Sequence, residues 1–256
     1  MSRNKILSAL LLVLLSFTYT GCDDPPDEET ATFVLDMKAM VNDSAFVLGQ
    51  TYQNAQDYKF NIETLRFYLS NLILTGADGS EVEVKDVDFL NFENNHSTSQ
   101  SKGEQVTGTI PAGAYTSLRF AIGVDSTRNS DDPAQYPSSH PLSIYNGSHW
   151  NWNTGYIFLK IEGSIDSTAN GSGNFGNSFL YHTGTNPLYH EIQFSDDFTV
   201  APAETFEYKM KLDVNRFFYN DSDTLDAVND NFTHTTGTFR IAERVTDFFS
   251  GAFSKR

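Results

Sequence analysis

The sequence is poor in cysteine and in positive charge, and each shortage excludes a class of protein. One residue of 256 is a cysteine, which excludes a disulfide framework and a zinc cluster built from several thiolates. Lys and Arg number 17 against 33 Asp and Glu, which gives a formal net charge of −16. Nucleic acid is therefore not expected as a partner, because phosphate binding needs clustered Lys and Arg.

Recognisable catalytic motifs are also missing. None of the six histidines belongs to a His-Glu-x-x-His pattern, and no hydrolase-type serine elbow occurs. The Gly171-Ser172-Gly173 turn does not follow a predicted strand, so it is not a phosphate-binding loop. No enzymatic activity is predicted.

The N-terminus carries an apolar run from Ile6 to Phe17, after a short positively charged start. Such a run is too short to span a bilayer and is typical of a signal-peptide core. It leads through small residues to Cys22, as in a bacterial lipobox, although Tyr19 departs from the usual aliphatic residue. We predict a signal peptide over residues 1–21 and lipidation of Cys22. An ordinary signal peptide followed by a chance cysteine is the alternative.

An acidic, proline-containing stretch follows Cys22, and residues 22–31 are predicted to be a tether that does not fold alone. Acidic residues just after a lipidated cysteine resemble the surface-export signals of Bacteroidetes-type lipoproteins. The predicted location is the cell envelope, anchored by lipid in the outer membrane. Exposure on the cell surface and orientation toward the periplasm both stay open.

Beyond the tether, apolar residues recur with a period of two, which is typical of half-buried β-strands. The pattern is clear around Phe33–Val41, Leu118–Val124, Ile157–Ile161 and Thr205–Val214. We predict one domain over residues 32–256 that is all-β, an antiparallel β-sandwich of Greek-key or immunoglobulin-like type. An apolar stripe with helical spacing from Ile241 to Ala252 adds a short C-terminal helix.

Two long polar loops, Glu93–Gln105 and Ser126–Asn151, interrupt the strands. Loops of this length are uncommon in compact domains unless they serve a site. Four of the six histidines lie between residues 140 and 190, in a stretch that also contains both tryptophans of the chain. These residues are His140, His149, His182, His190, Trp150 and Trp152.

Imidazole suits copper, zinc and nickel, and aromatic rings around such a site would exclude water and favour the cuprous ion. Loop histidines without a metal, with tryptophans that close the end of a sandwich, are the alternative.

Four segments resemble family signatures in the right order. Leu65–Leu72 is similar to "KYYLSNI", and Phe120–Asn129 to "IGVDS-x-x-N". Trp150–Gly163 fits "W-x-W-x-(S/T)-G-Y-x-F-x-K-x-E-G", and Tyr181–Gly184 contains "H-x-G". These are the signatures of MbnP-like copper-binding proteins, the family of methanobactin-associated and methanotroph surface copper proteins.

The resemblance implies a secreted or surface β-sandwich that binds copper. In characterised relatives a tryptophan is oxidised to kynurenine by a dihaem peroxidase and joins histidines around one copper ion. Carried over to this chain, His182 is the "H-x-G" histidine, and Trp150 and Trp152 occupy the twin-tryptophan motif. A dihaem peroxidase would then be a partner.

Two departures from the family pattern bear on the ligand set. Methanotroph relatives place a histidine after the asparagine that Asn129 matches, whereas Ser130 stands here. Some relatives also have a cysteine after the "H-x-G" element, which this chain lacks. The candidate replacements for the missing ligand are His140 first, then His149, then His190.

A further metal candidate and a further function stay open. Asn220–Asp226 carries alternating oxygen side chains that suit calcium, but it lacks the glycine and glutamate of an EF-hand, so an acidic solvated loop is preferred. A non-metal module that binds a ligand or glycan, or serves adhesion, is the alternative function. Its aromatic side chains would stack on sugar or peptide.

Overall fold

The computed structural model describes residues 29–93, 103–151, 155–169, 171–172 and 174–256. Cys22 and Trp152 therefore lie outside the described residues. No helix in these ranges combines the length and hydrophobicity needed to cross a membrane. The regular elements are the strands β1 Thr30–Val41, β2 Ser44–Ala45, β3 Tyr52–Gln53, β4 Lys59–Gly76, β5 Glu81–Asn91, β6 Glu104–Pro111, β7 Gly113–Ile122, β8 Leu159–Ile165, β9 Asn177–Thr183, β10 His190–Val200, β11 Thr205–Asp213, β12 Phe232–Thr233 and β13 Phe253–Lys255, and the helix α1 Phe239–Ser250.

The strands form two sheets. In the first sheet, β1 pairs with β11 on one edge and with β6 and β2 on the other. β13 pairs with the opposite edge of β11. The second runs in the order β10-β7-β4-β8-β9-β12, with β3 and β5 also paired to β4. β1 begins at Thr30, inside the tether predicted for residues 22–31.

The core lies between the two sheets and is filled by the alternate residues that the period-two pattern selects. Phe33, Leu35 and Met37 of β1 are fully buried and share one cluster with Phe67 of β4. Phe249 of α1 meets Phe67 edge-to-face at 5.0 Å, so the predicted C-terminal helix closes this core. Burial of each of these apolar side chains stabilises the folded state by roughly 1.5–3 kcal/mol, because apolar surface is removed from water.

The all-β sandwich is confirmed, and two of its strand pairs are parallel. β1 runs parallel to β11, and β12 runs parallel to β9. The alternation along a strand specifies which side chains are buried, but it does not specify the direction of the neighbouring strand. Parallel neighbours need a long connection, and nearly the whole domain lies between β1 and β11.

A seam in the second sheet positions the long loop. β7 and β8 follow each other along one edge of β4 and meet at Tyr68. The Gly123 amide donates to the Tyr68 carbonyl at 2.9 Å, and the Tyr68 amide donates to the Phe158 carbonyl at 3.0 Å. The chain therefore leaves the sheet at Gly123 and returns to it at Phe158, beside the same residue of β4.

The excursion between these points is folded. It contains short 3-10 helices at Arg128–Ser130, Pro133–Gln135 and Ile144–Asn146. Its apolar side chains Val124, Leu142 and Tyr156 form a second buried cluster with residues from the surrounding elements. The other members are Tyr68, on the outer face of β4, and Val87, Phe158, Leu188 and Ala242. The predicted long loop is thus a packed layer, and we call the end of the sandwich that carries it the loop end.

The acidic segment Asn220–Asp226 uses its oxygens within the protein. Arg244 donates from Nε and Nη2 to the two oxygens of Asp223, at 2.7 and 3.0 Å. Asn220 Oδ1 accepts from the backbone amides of Ser222 and Asp223. These contacts agree with the preferred interpretation as an acidic loop.

Candidate functional site at the loop end

Asn129 ties three distant segments together at the loop end. Its Oδ1 accepts a hydrogen bond from the Tyr156 amide at 2.8 Å, and its Nδ2 donates to Asn186 Oδ1 at 2.9 Å. Asn129 is buried, so these bonds are shielded from water. The asparagine of the "IGVDS-x-x-N" segment therefore joins the tryptophan segment to the turn that follows the "H-x-G" element.

Trp150 packs directly on the "H-x-G" element. Its side chain is buried, and a Cβ placed on Gly184 would lie 2.5 Å from the indole Cη2. A side chain at position 184 would displace the indole, so the close approach requires glycine. The Phe158 amide donates to the Thr183 carbonyl at 2.7 Å and holds the same two segments in register.

His182 lies on β9 with its side chain on the outer face of the second sheet. Its neighbours Phe179 and Tyr181 point into the main core, so the alternation turns His182 the other way. His182 is 8% exposed, and its Nε2 lies 2.6 Å from Oε1 of Glu162 on β8. The second oxygen of Glu162 accepts from Thr64 Oγ1 of β4 at 3.0 Å.

His234 is the imidazole that stacks on His182, and no pattern in the sequence indicated this contact. The two rings stack with centroids 4.7 Å apart and planes 9° apart. Thr235 holds the arrangement, because its Oγ1 donates to the His182 carbonyl at 3.2 Å and accepts from the Gly184 amide at 3.1 Å. β12 has only two residues, too few for any periodicity to reveal.

The electrostatics keep His182 neutral. Burial lowers the pKa of His182 to about 4, with the nearby Lys160 cation acting in the same direction against the hydrogen bond to Glu162. Burial opposes ionisation of Glu162, but hydrogen bonds from His182 and Thr64 outweigh it, and the pKa of this carboxyl is lowered. A neutral imidazole therefore faces a carboxylate near pH 7, and neutral imidazole is the form that binds metals.

The three other candidate histidines have different surroundings. His140 stacks on Tyr136 at 4.3 Å, and its Nδ1 accepts from the Leu142 amide at 3.1 Å. His149 meets the Tyr156 ring edge-on at 5.0 Å, and burial lowers the pKa of its imidazole. His190 begins β10, opposite Ile122.

His149 and Trp150 share a cavity with Ser130, the residue that stands where methanotroph relatives carry a histidine. The volume of this cavity is about 390 Å³, and Asp131 and Asp132 also line it. His149 therefore lies beside the position of the missing ligand. His140, which the sequence placed first, does not line this cavity, and its Nδ1 already accepts a backbone hydrogen bond.

The described side chains do not complete a metal site. In the part of the chain that the structure describes, no three His, Cys, Asp or Glu side chains are placed to hold one ion. The stacked rings of His182 and His234 direct their in-plane lone pairs along nearly parallel planes, so the two do not converge on one point. The donor chemistry of neutral imidazoles suits copper. The sequence candidate Trp152 lies outside the described residues.

Comparisons with known proteins place the chain among its relatives. The family model of MbnP matches residues 30–236. Among solved structures, MbnP from Methylosinus trichosporium superposes with a TM-score of 0.52 at 19% sequence identity, covering 77% of this chain and 80% of that chain. At this identity the likeness shows a shared fold. No curated protein matches the sequence.

Proposed function

The chain belongs to the MbnP family, and from this premise we propose that it is a copper-binding lipoprotein of the cell envelope. Its role would be to capture copper or hand it over. The proposal includes no chemical turnover, because the sequence offers no recognisable nucleophile, base or cofactor motif.

The observation that carries the proposal is the convergence of the family segments at the loop end. Asn129, Trp150 and His182 are far apart in sequence, yet hydrogen bonds and close packing join the segments that contain them. Each contact holds either a backbone turn or a buried ring in place. A preorganised arrangement of this kind is what a selective metal site needs.

His182 is the first proposed ligand, since it is buried, neutral near pH 7 and fixed by Glu162. A second imidazole has two sources at the loop end. His234 already stacks on His182 and would need to rotate, whereas His149 lies beside Ser130 in the cavity. Two imidazole nitrogens are a sufficient basis for binding cuprous copper. The family resemblance implies an oxidised tryptophan as a further donor.

The fold supports an orientation in which the site points away from the membrane. The Ala112 amide donates to the Glu29 carbonyl at 2.7 Å, so the chain enters the sandwich beside the start of β7. β7 then runs for 10 residues, about 30 Å, to the loop end. With Cys22 lipidated, the proposed copper site would face outward, toward arriving copper or a soluble partner.

A dihaem peroxidase is the proposed partner for tryptophan oxidation. Trp150 is only 4% exposed and packs on Gly184, so direct contact with a second protein would require the loop end to open. Mass spectrometry of tryptic peptides from protein made with and without the peroxidase would show whether Trp150 or Trp152 gains the mass change of kynurenine formation. An unmodified pair in both samples would remove this part of the proposal.

Copper analysis of purified protein tests the central proposal. Protein from copper-supplemented cells should carry about one copper per chain, and His182→Gln should lose most of it. Gln can still donate a hydrogen bond to Glu162, so this variant keeps a partner for the carboxylate. His96→Gln, at a histidine that is not a candidate ligand, is the matched control and should retain copper. A copper-free wild type, or equal copper in both variants, would refute the proposal.

One observation favours the non-metal alternative. Tyr145 and Ile144 are 79% and 51% exposed on the short helix of the long loop, where a sugar or peptide could stack. Trp150 is buried and cannot serve as such a platform. Loss of glycan or peptide binding in Tyr145→Ala, with copper content unchanged, would support this alternative.

A further inference from the structure

We propose that Glu162 is the positioning residue of His182: it holds the imidazole proton on Nε2 and leaves Nδ1 as the nitrogen that binds copper. This inference rests on the proposed copper-binding function. It assigns a role to the glutamate of the "K-x-E-G" segment and specifies which ring nitrogen meets the metal.

The geometry of the pair decides where the proton lies. A carboxylate can only accept, so the 2.6 Å contact between Glu162 Oε1 and His182 Nε2 requires a proton on Nε2. A neutral imidazole has one ring proton, and its other nitrogen then carries a lone pair. No described residue donates a hydrogen bond to His182 Nδ1, so that lone pair is available.

Glu162 is itself held in place. Thr64 donates to the second carboxylate oxygen at 3.0 Å, and the strand register sets Thr64 directly opposite Glu162. His182 approaches from β9 on the other side of β8. Three neighbouring strands thus fix the acceptor, the histidine and the threonine on one face, and the carboxylate cannot swing away without losing a hydrogen bond at each end.

The ring of His182 is restrained a second time by His234. The hydrogen bond to Glu162 fixes the Nε2 corner of the ring but still allows the ring to turn about that bond. Stacking on His234, with the ring centroids 4.7 Å apart, limits this rotation. Lys160, the cross-strand partner of His182, adds a nearby positive charge that disfavours the imidazolium form. In other metal sites, mutation of a residue that hydrogen-bonds to a metal ligand typically reduces metal affinity by roughly 10- to 100-fold.

The test reads the tautomer directly. In metal-free, ¹⁵N-histidine-labelled protein at neutral pH, long-range ¹H–¹⁵N correlation spectra distinguish a protonated from a bare ring nitrogen. We expect His182 to show a protonated Nε2 and a bare Nδ1 in the wild type. Glu162→Ala should give a mixture of the two tautomers, and Glu162→Gln should restore most of the wild-type pattern, because its amide oxygen can still accept from Nε2.

Copper affinity is measured on the same proteins by titrating Cu(I) against a chromophoric chelator of known affinity. Glu162→Ala should weaken binding by about 10- to 100-fold. Glu162→Gln should weaken it less. Thr64→Val, which frees the second carboxylate oxygen, is the variant to use if Glu162→Ala does not fold, and it should weaken binding by a smaller factor. Glu83→Ala, an exposed glutamate of β5, is the control and should leave affinity unchanged.

The outcomes separate the inference from the function on which it rests. A wild-type His182 protonated on Nδ1, or unchanged affinity and tautomer in the Glu162 and Thr64 variants, would overturn the inference while copper binding stands. A wild type that binds no Cu(I), with the expected tautomer present, would overturn the proposed function and with it the ligand role of Nδ1.

Discussion

The two ends of the sandwich are built differently. At the end where the chain enters, β4 and β5 are joined by a short turn through Asp78 and Gly79, and a Cβ on Gly79 would meet no atom of the described residues within 4 Å. At the loop end, a Cβ on Gly123 would lie 2.5 Å from the Phe158 ring. One end needs only the local chemistry of a turn, whereas the other depends on contacts between residues far apart in sequence.

The polar groups differ in the same way. Asp78 is exposed, and hydrogen bonds from Ser80 lower the pKa of its carboxyl within a local turn. Glu162 and His182 lie on different strands, and His182 is buried whereas the Glu162 side chain is 30% exposed. A fold that needed only a closed sandwich would not require buried polar groups here, because they cost stability unless each is paired. The buried, paired His182 therefore agrees with the proposed site at the loop end.

The largest expected effect compares the two glycines. Both have positive φ, 116° at Gly123 and 85° at Gly79, so alanine is strained at either position. Gly123→Ala must also displace the Phe158 ring, and we expect it to reduce the free energy of unfolding by about 4 kcal/mol. Gly79→Ala should cost about 1 kcal/mol. Urea denaturation followed by fluorescence measures both, and equal losses would contradict the contrast between the ends.

The next effect concerns Asn129. Asn129→Ala removes two buried hydrogen bonds and leaves the Tyr156 amide without its acceptor. We therefore expect the free energy of unfolding to fall by about 3 kcal/mol. Asn215→Ala is the matched control, because the side-chain hydrogen bonds of Asn215 lie near the surface. We expect this variant to reduce the free energy of unfolding by less than about 0.5 kcal/mol. If Asn129→Ala lost no more stability than Asn215→Ala, the segments would meet without this bridge.

The smallest of the three effects is a pH dependence of metal-free protein. His182 has a pKa of about 4 when folded, below its ordinary value of 6.5, so the unfolded chain takes up a proton first as the pH falls. Stability is therefore lost from about pH 6.5 downward, until the folded form also protonates near pH 4. Between pH 7 and 5 this amounts to about 2 kcal/mol.

His182→Gln is the comparison for that experiment. The variant cannot titrate at this position, so its free energy of unfolding should change less between pH 7 and 5 than that of the wild type. The lowered pKa of Glu162 contributes stability that is lost only at lower pH, around and below the ordinary range of carboxyl groups. Identical pH profiles for wild type and variant would mean that His182 is solvated rather than buried.

The sequence predicted the sandwich well because its strands alternate strongly. Thr205–Val214 and Phe33–Val41 correspond closely to β11 and β1, and the apolar stripe from Ile241 corresponds to α1. Alternation could not indicate that β1 and β11 are parallel neighbours, since it describes one strand at a time. The long loop gave no period at all, because its three short helices pack through scattered apolar residues such as Leu142.

The candidate site was predicted in part. The family segments identified His182 and Trp150, and the structure joins the segments that contain them. Glu162 was missed because an outward-facing glutamate in an alternating strand resembles any solvent-exposed residue. His234 was missed because the pairing of β12 with β9 depends on the tertiary fold. Burial and partnership, which decide the chemistry, are not local properties of the sequence.

An anomalous-scattering map of copper-loaded crystals, collected at the copper edge, tests the central claim most directly. We predict one strong peak at the loop end, about 2 Å from His182 Nδ1, with the Glu162 contact to Nε2 retained. A peak bonded to Nε2 would reverse the assigned roles of the two ring nitrogens. Copper found only at other histidines, or absent from the loop end, would contradict the account of this region as a copper site.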